Sequence, residues 1–400
     1  MRATKLDKPY KDFPLTAHPA GVWVKKIKGK VYTFGGWGDP DGALAKYHHQ
    51  VDALQAGREP DPMPSDGQLT KLDLVNEFLE SKEKMVESGD LSKAMWFDYH
   101  RSCARLLSIT GKTKIVEALK PRDFDDIRAK LAAGVAKVTQ ANRIRLARIL
   151  FKFANDQDLI KSPLKFGQNF KEPDRAALRG ERQAGGAKGF APEELRAIID
   201  AAGVPLKAMI LLGINAGFGN NDCATLPLSA IDLDGGWIDF PRPKTHVERR
   251  CKLWPEAVKA LRDALAKRPA PKDEQFAGLA FVSKYGNPYV RLSEKGANMD
   301  AIAGAFAKIL ELLGMSGNRR AFYSLRRTFE TVAGNSRDQI ATDHIMGHSP
   351  PSDDMSAVYR QSIADERLIA VSGFVRAWLW PTTTEAKATK KQKVHPSNAC

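Results

Sequence analysis

Alternating hydrophobic and polar positions occur in a short stretch near the N-terminus. Residues 21–34 predict a β-hairpin, since two strand-like runs flank a turn at Lys28 and Gly29. A helix is expected to follow, with Asp39 as its N-cap and Pro40 in its first turn. Its apolar face, at helical spacing, consists of Ala43, Tyr47, Val51 and Leu54.

The pattern then becomes helical from about Leu69 to Ile160. The clearest helix is predicted from Thr139 to Asn155. Apolar side chains at i, i+3, i+4 and i+7 indicate a buried stripe. That predicted stripe consists of Leu146, Ile149, Leu150 and Phe153.

A third region runs from Phe190 to about Pro381. A helix start is predicted at Ala191 and Pro192, followed by an apolar helix over 209–216. A small hairpin is expected next, with one arm at 237–240 and the other at 250–254. Two prolines exclude a central strand between these arms and place Lys244 on an exposed loop. Near the end, a helix with an apolar stripe is predicted from Leu368, Val371, Val375, Trp378 and Leu379.

Two polar stretches divide the chain. Three prolines lie within 57–67, and glycines and basic residues dominate 171–188, which is predicted to be a linker. The expected architecture is therefore mostly α-helical with small β-sheets, in several domains. The predicted segments are 1–58, a basic αβ domain; 66–170, a helical domain; 186–382, an α+β domain; and 383–400, a disordered basic tail.

The charge balance is strongly basic, with 62 Lys and Arg against 47 Asp and Glu and a net charge of +15. Such an excess favours a polyanionic partner, while a solvated basic surface is the alternative. Basic residues cluster with Trp23 and Tyr32 on the first hairpin and along one face of the 139–155 helix. The candidates for contact with DNA phosphates are Lys25, Lys26, Lys28, Lys30, Arg145, Arg148 and Lys152.

Other classes of protein receive less support. The four cysteines are too sparse for a disulfide framework, which is compatible with the reducing cytoplasm. The histidines show no ligand spacing, so no metal site and no cofactor are predicted. The sequence contains no apolar run of bilayer-spanning length, so no membrane partner is expected.

The third region contains an ordered series of polar groups. Lys244 lies on the hairpin loop, and Arg326 follows in the helical stretch Tyr323-Ser324-Leu325-Arg326-Arg327. His348 follows Gly347, and Tyr359 comes next. In this order, the residues resemble the catalytic domain of tyrosine recombinases, the phage integrase family. The earlier regions then resemble that family's arm-binding and core-binding domains.

The resemblance implies a role for each matching residue. Tyr359 would be the nucleophile, Arg326 and His348 would bind the phosphate, and Lys244 would protonate the leaving oxygen. Two positions depart from the pattern: the first arginine falls at Gly219 and the first histidine of the third motif at Tyr323. Tyr323 is therefore also a candidate nucleophile, and Arg249 or Arg250 is expected to supply the missing cation.

Two functions remain open from the sequence. The first is site-specific recombination through transient phosphotyrosine links to double-stranded DNA, with four protomers assembling on the duplexes. The second is sequence-specific DNA binding by a homologue that has lost strand cleavage. In the first case, the resemblance implies that the predicted helix after Tyr359 docks onto a neighbouring protomer.

Overall fold

The chain divides into two units, residues 1–181 and residues 182–400. The computed structural model describes residues 7–57, 60, 68–317, 319–350 and 353–381. The predicted tail at 383–400 and most of the stretch at 57–67 lie outside these described residues. Among the helices in the described ranges, none has the length and apolarity needed to cross a bilayer.

The first unit begins with a three-stranded antiparallel sheet and one helix. The elements are β1 (Thr16–His18), β2 (Val22–Ile27), β3 (Lys30–Gly36) and α1 (Pro40–Gln55), with the strands in sequence order. The predicted hairpin is confirmed: Lys28 and Gly29 both have positive φ, which suits a two-residue turn between twisted strands. Asp39 caps α1 by accepting a hydrogen bond from the Gly42 amide, as predicted. β1 was not predicted, because three residues carry too little pattern.

The hydrophobic core beneath this sheet contains Trp23, which was predicted to lie on the basic surface of the hairpin. Trp23 was grouped with the basic residues of the hairpin, but its side chain is fully buried. It packs edge-to-face against Phe13 at a ring distance of 4.9 Å. Trp23 therefore stabilises the sheet and is not available to a partner, whereas Lys26, Lys28 and Lys30 are exposed.

Four helices follow in the first unit. They are α2 (Lys71–Glu87), α3 (Lys93–Thr110), α4 (Pro121–Ala132) and α5 (Lys137–Asp156). They enclose a second hydrophobic core that is separate from the first. Phe124 lies at its centre, with ring centroids of Phe151 and Phe170 each 5.2 Å away. The three-domain division predicted from the sequence stays a prediction, although each predicted domain has its own apolar cluster.

The buried face of α5 is rotated from the predicted one. Leu150 is buried as expected, but Leu146, Ile149 and Phe153 lie at the edge and are partly exposed. The most buried line consists of Gln140, Ala141, Ile144, Ala147, Leu150, Phe151 and Ala154. Small alanines allow close packing between helices. The predicted stripe was based on large apolar residues and therefore did not include these alanines.

The predicted linker at 171–188 is largely helical. Residues Arg175–Ala184 form α6, which contains no buried residue. Its Ala, Leu, Arg, Glu and Gln content has high helix propensity, and this outweighs the glycine at position 180. The polarity of the segment correctly indicates exposure but not an irregular backbone.

The second unit is mostly helical, with two small sheets. Its helices are α7 (Pro192–Ala201), α8 (Val204–Asn215), α9 (Asn220–Ala224), α10 (Pro255–Ala266), α11 (Ala301–Leu312), α12 (Tyr323–Gly334), α13 (Gln339–Met346), α14 (Met355–Tyr359) and α15 (Asp365–Leu379). Its strands are β4 (Ile231–Asp232), β5 (Trp237–Asp239) and β6 (Arg250–Lys252) in one sheet, and β7 (Val290–Leu292) and β8 (Asn298–Asp300) in another. The predicted helix start at Pro192 and the predicted hairpin are confirmed. The nearly all-apolar α8 lies at the centre and packs against α7, α10, α11, α12 and α15.

The last helix corrects another expectation. Its stripe was expected to dock onto a neighbouring protomer, but Leu368, Val371, Val375 and Leu379 are buried in the core of their own unit. Polar contacts fix α15 in place as well: Arg367 forms a two-bonded ion pair with Asp338, and Arg376 forms one with Glu256. These apolar side chains therefore stabilise the fold of their own chain.

Candidate active site

Arg326 is a deeply buried charged group of the candidate site. It lies on α12 with 2% of its surface exposed. One terminal nitrogen donates to the Gly217 carbonyl at 2.6 Å, and the other donates to the Met346 carbonyl at 2.8 Å. The guanidinium thereby ties the turn before α9 to the end of α13. Burial is the main cause that lowers the pKa of Arg326, and the positive charge of Arg242 is the second.

The loop that carries Lys244 docks onto the end of α13. Backbone hydrogen bonds extend the hairpin, from the Phe240 amide to the Arg249 carbonyl and from the Arg242 amide to the Val247 carbonyl. The Thr245 hydroxyl donates to the Gly347 carbonyl at 3.2 Å. Lys244 itself is exposed. The structure therefore brings the Lys244 loop next to the residue that precedes His348.

His348 is oriented by carboxylates that the sequence did not reveal. Its Nδ1 lies 3.0 Å from a carboxylate oxygen of Asp343 and 3.7 Å from one of Glu330. A carboxylate at Nδ1 fixes the ring and leaves Nε2 to meet a ligand. Asp343 lies five residues before His348, near the end of α13. This spacing is the one sign in the sequence that the two side chains could meet.

The same three side chains have the spacing of a metal site. One ligand atom from each of Glu330, Asp343 and His348 lies within 4.8 Å of the others. Gln339 already donates to both carboxylates, at 3.2 Å to Glu330 and 3.0 Å to Asp343. Both carboxylates thus accept a hydrogen bond from Gln339, whereas the Oε2 atom of Glu330 is buried without a hydrogen-bond partner among the described residues.

Tyr359 ends the short helix α14 and is 77% exposed. Within the described part of the chain, its hydroxyl makes no hydrogen bond. The next residue, Arg360, lines a cavity of about 550 Å³ together with His348. Tyr359 itself does not line this cavity, and its side chain is accessible to solvent.

An aromatic ring lies beside Gly219, the position of the missing arginine. Gly219 caps α9, and its amide donates to Asp222 at 2.6 Å. A Cβ atom built on Gly219 would lie 3.4 Å from ring carbons of Tyr323. Both departures from the family pattern, Gly219 and Tyr323, thus meet at one point of the site.

Neither candidate for the missing cation is free to act as predicted. Arg250 donates to both oxygens of Asp365, and it also binds Asp239. Its guanidinium lies over the Trp237 ring. This argues against the prediction for Arg250, because two carboxylates already hold all three of its side-chain nitrogens.

Arg249 is charged but inaccessible. It is 2% exposed, and its guanidinium carbon lies 3.9 Å from the centre of the Phe218 ring. Asp222 is the nearest carboxylate, at 3.6 Å, and the two terminal nitrogens of Arg249 have no hydrogen-bond partner. Burial lowers the pKa of Arg249 to about 10, so the group remains protonated at neutral pH. The positive charge of Arg249 therefore adds to the electrostatic potential of the site, although the side chain itself is buried.

The candidate DNA-contacting cations fall into two groups. Lys26, Lys28 and Lys30 are exposed, whereas Lys25 donates to the Pro14 carbonyl. The basic face of α5 is exposed but engaged: Arg145 pairs with Glu172, Arg148 donates to the Phe170 carbonyl, and Lys152 pairs with Asp156. An anion that binds to α5 would have to displace these ion pairs and this hydrogen bond. The three exposed hairpin lysines have no such contacts among the described residues.

The comparisons with known proteins point to one family. The model of the phage integrase family matches residues 189–365. Residues 189–365 thus form a domain of the phage integrase family. That match contains Lys244, Arg326, His348 and Tyr359, as well as Gly219 and Tyr323.

Solved structures of integrases share the fold. One is a lambda integrase tetramer bound to a Holliday junction, with a TM-score of 0.54, 15% identity, and coverage of 89% of this chain and 99% of that one. Another is the Tn1549 transposon integrase in complex with transposon right end DNA, with a TM-score of 0.52, 14% identity, and coverage of 82% and 100%. The search of curated proteins finds no match.

A first prediction concerns the buried charge beneath the site. Asp222→Asn keeps an oxygen that can accept from the Gly219 amide but removes the countercharge of Arg249. Breaking a buried pair by neutralising one partner typically costs about 3–5 kcal/mol, so we expect a loss of that order in the free energy of unfolding. Urea unfolding of the full chain measures it.

The double variant Asp222→Asn with Arg249→Met is the control. It removes the unpaired charge as well, and we expect it to be more stable than Asp222→Asn alone. If the single and double variants are equally stable, the Asp222–Arg249 interaction contributes nothing measurable to the fold.

Proposed function

We propose that this chain is a site-specific recombinase that cuts and rejoins double-stranded DNA without a metal ion or an external energy source. The observation that carries the proposal is the convergence at Gly347. Arg326 binds the preceding carbonyl, the Lys244 loop binds the Gly347 carbonyl, and His348 follows directly. The buried cation, the loop of the proposed proton donor and the imidazole thereby meet at one point of the chain, and the exposed Tyr359 follows at the end of α14.

The chemistry assigned to these residues is transesterification. The Tyr359 oxygen attacks phosphorus and loses its proton, the bond from phosphorus to the 5′ oxygen breaks, and Lys244 protonates the departing oxygen. Arg326 and His348 stabilise the negative charge on the non-bridging oxygens. The 3′-phosphotyrosine link conserves the bond energy, and attack by a second 5′-hydroxyl releases Tyr359 and joins the strands.

Assembly on DNA is part of the proposal. A lambda integrase of similar fold forms a tetramer on a Holliday junction, and strand exchange between two duplexes requires four cutting centres. The contacts between protomers would not use the buried stripe of α15. The cytoplasmic location expected from the cysteines stays a prediction.

The nucleophile is tested by Tyr359→Phe, with Tyr285→Phe as a control because Tyr285 is also exposed. On a nicked suicide duplex containing the ends of the protein's own element, wild type and Tyr285→Phe should form a covalent adduct. Tyr359→Phe should form none while keeping its affinity for the duplex. Denaturing gels and gel-shift titration measure the two quantities.

The outcomes separate the open functions. An adduct that persists in Tyr359→Phe would identify another nucleophile, and Tyr323 would be tested next. Tight, sequence-dependent binding with no adduct from wild type would support the alternative, a DNA-binding homologue without cleavage. The family relationship favours recombination.

A second test concerns the hairpin of the first unit. We propose that Lys26, Lys28 and Lys30 contact phosphates, so replacing all three with alanine should flatten the dependence of log affinity on log salt. Each lost contact should change the slope by about 0.9. Lys84→Ala with Lys259→Ala is the control, because each of these lysines pairs with an acidic residue on its own helix. An unchanged slope in the triple variant would remove the hairpin from the DNA interface.

A further inference from the structure

Three arginines gather at the candidate site with little opposing charge. Arg326 and Arg249 are buried; burial lowers the pKa of both, and the positive charge of Arg242 adds to that lowering. Among the described residues, Asp222 is the one carboxylate that acts on both buried guanidinium groups. A desolvated excess of positive charge is costly, and a bound anion would offset that cost.

Arg242 differs from its two neighbours in accessibility. Its side chain is half-buried, and no hydrogen bond or ion pair engages its guanidinium within the ranges that the structure describes. The side chain lies against Gly347: a Cβ atom at that glycine would be 2.8 Å from the Cβ of Arg242. A side chain at position 347 would therefore collide with Arg242, and the glycine permits this close approach.

The backbone of Arg242 is also fixed. Its amide donates to the Val247 carbonyl, and its own carbonyl accepts from the Thr245 and His246 amides. Lys244 is in the same tight loop, and Thr245 anchors the loop to Gly347. Arg242 thus combines a fixed backbone with free donors, in the same loop as Lys244 and against Gly347, the residue that precedes His348.

We propose that Arg242 binds the scissile phosphate and replaces the arginine that Gly219 lacks. The inference rests on the proposed function and names the second phosphate-binding residue of the same site. The ligand is a DNA phosphodiester, whose non-bridging oxygens accept the paired hydrogen bonds of a guanidinium. Arg242 is then a catalytic residue supplied by the hairpin loop instead of by the turn before α9.

The surroundings of Gly219 agree with this assignment. The Tyr323 ring lies beside Gly219, where an arginine side chain would begin, and it acts electrostatically on Arg326. Tyr323 therefore adjoins Gly219 and interacts with Arg326, while Arg242 lies on the hairpin loop against Gly347. The two departures from the family pattern and the free guanidinium of Arg242 form one consistent rearrangement.

The test compares Arg242→Ala and Arg242→Lys with wild type on the suicide duplex. Removing one oxyanion donor typically lowers a rate by about 10²–10³-fold, and we expect a loss of that size in adduct formation for Arg242→Ala. Arg242→Lys keeps the charge but not the fork, so it should recover part of the rate. Arg262→Ala is the control, because Arg262 is an exposed arginine of the same unit that pairs with Asp234. Its rate should equal that of wild type, and circular dichroism checks that each variant is folded.

The failure of this inference can be distinguished from the failure of the proposed function. If wild type forms the Tyr359-dependent adduct and Arg242→Ala forms it equally fast, the assignment of Arg242 is overturned while recombination stands. If wild type forms no adduct, the salt dependence of binding to the same duplex decides. A slope reduced by about 0.9 in Arg242→Ala supports a phosphate contact, and an unchanged slope overturns it.

Discussion

The candidate site depends on the two hydrogen bonds that the buried Arg326 guanidinium gives to the carbonyls of Gly217 and Met346. A buried charge is tolerated only when its donors are satisfied, and the planar fork of arginine reaches two carbonyls at once. Those bonds fix the end of α13 against the turn before α9. Gly347 and His348 follow from that fixed point, and the Lys244 loop binds there in turn.

The electrostatics of the site follow from its unequal charges. Arg249 and Arg326 are buried, and Asp222 is the carboxylate that interacts electrostatically with both of them. The other carboxylates of the region are engaged elsewhere: Asp343 and Glu330 contact His348, and Asp239 and Asp365 hold Arg250. Arg242 and Arg326 thus form no ion pair among the described residues, and such unpaired cations can bind a phosphate.

Part of this could be predicted from the sequence. Hairpins with a clear turn and helices with a start signal were predicted correctly, because local chemistry determines them: the Lys28-Gly29 turn and the Asp39 cap are examples. The ordered residues Lys244, Arg326, His348 and Tyr359 indicated the family, which the comparison of residues 189–365 supports.

The remainder depends on contacts distant in sequence. Nothing local distinguishes the free Arg242 from the paired Arg250, because the partner Asp365 lies 115 residues away. The contact between Tyr323 and Gly219 likewise joins two separate motifs. An apolar stripe such as that of α15 predicts burial but does not specify whether the same chain or another one buries it.

The most direct test of the central claim is a crystal structure of Tyr359→Phe bound to its own DNA site. The account predicts one phosphate within hydrogen-bonding distance, about 3 Å, of both Arg242 and Arg326, with His348 and Lys244 on its other sides. A bound duplex whose scissile phosphate contacts Arg326 while the Arg242 guanidinium points into solvent would contradict it.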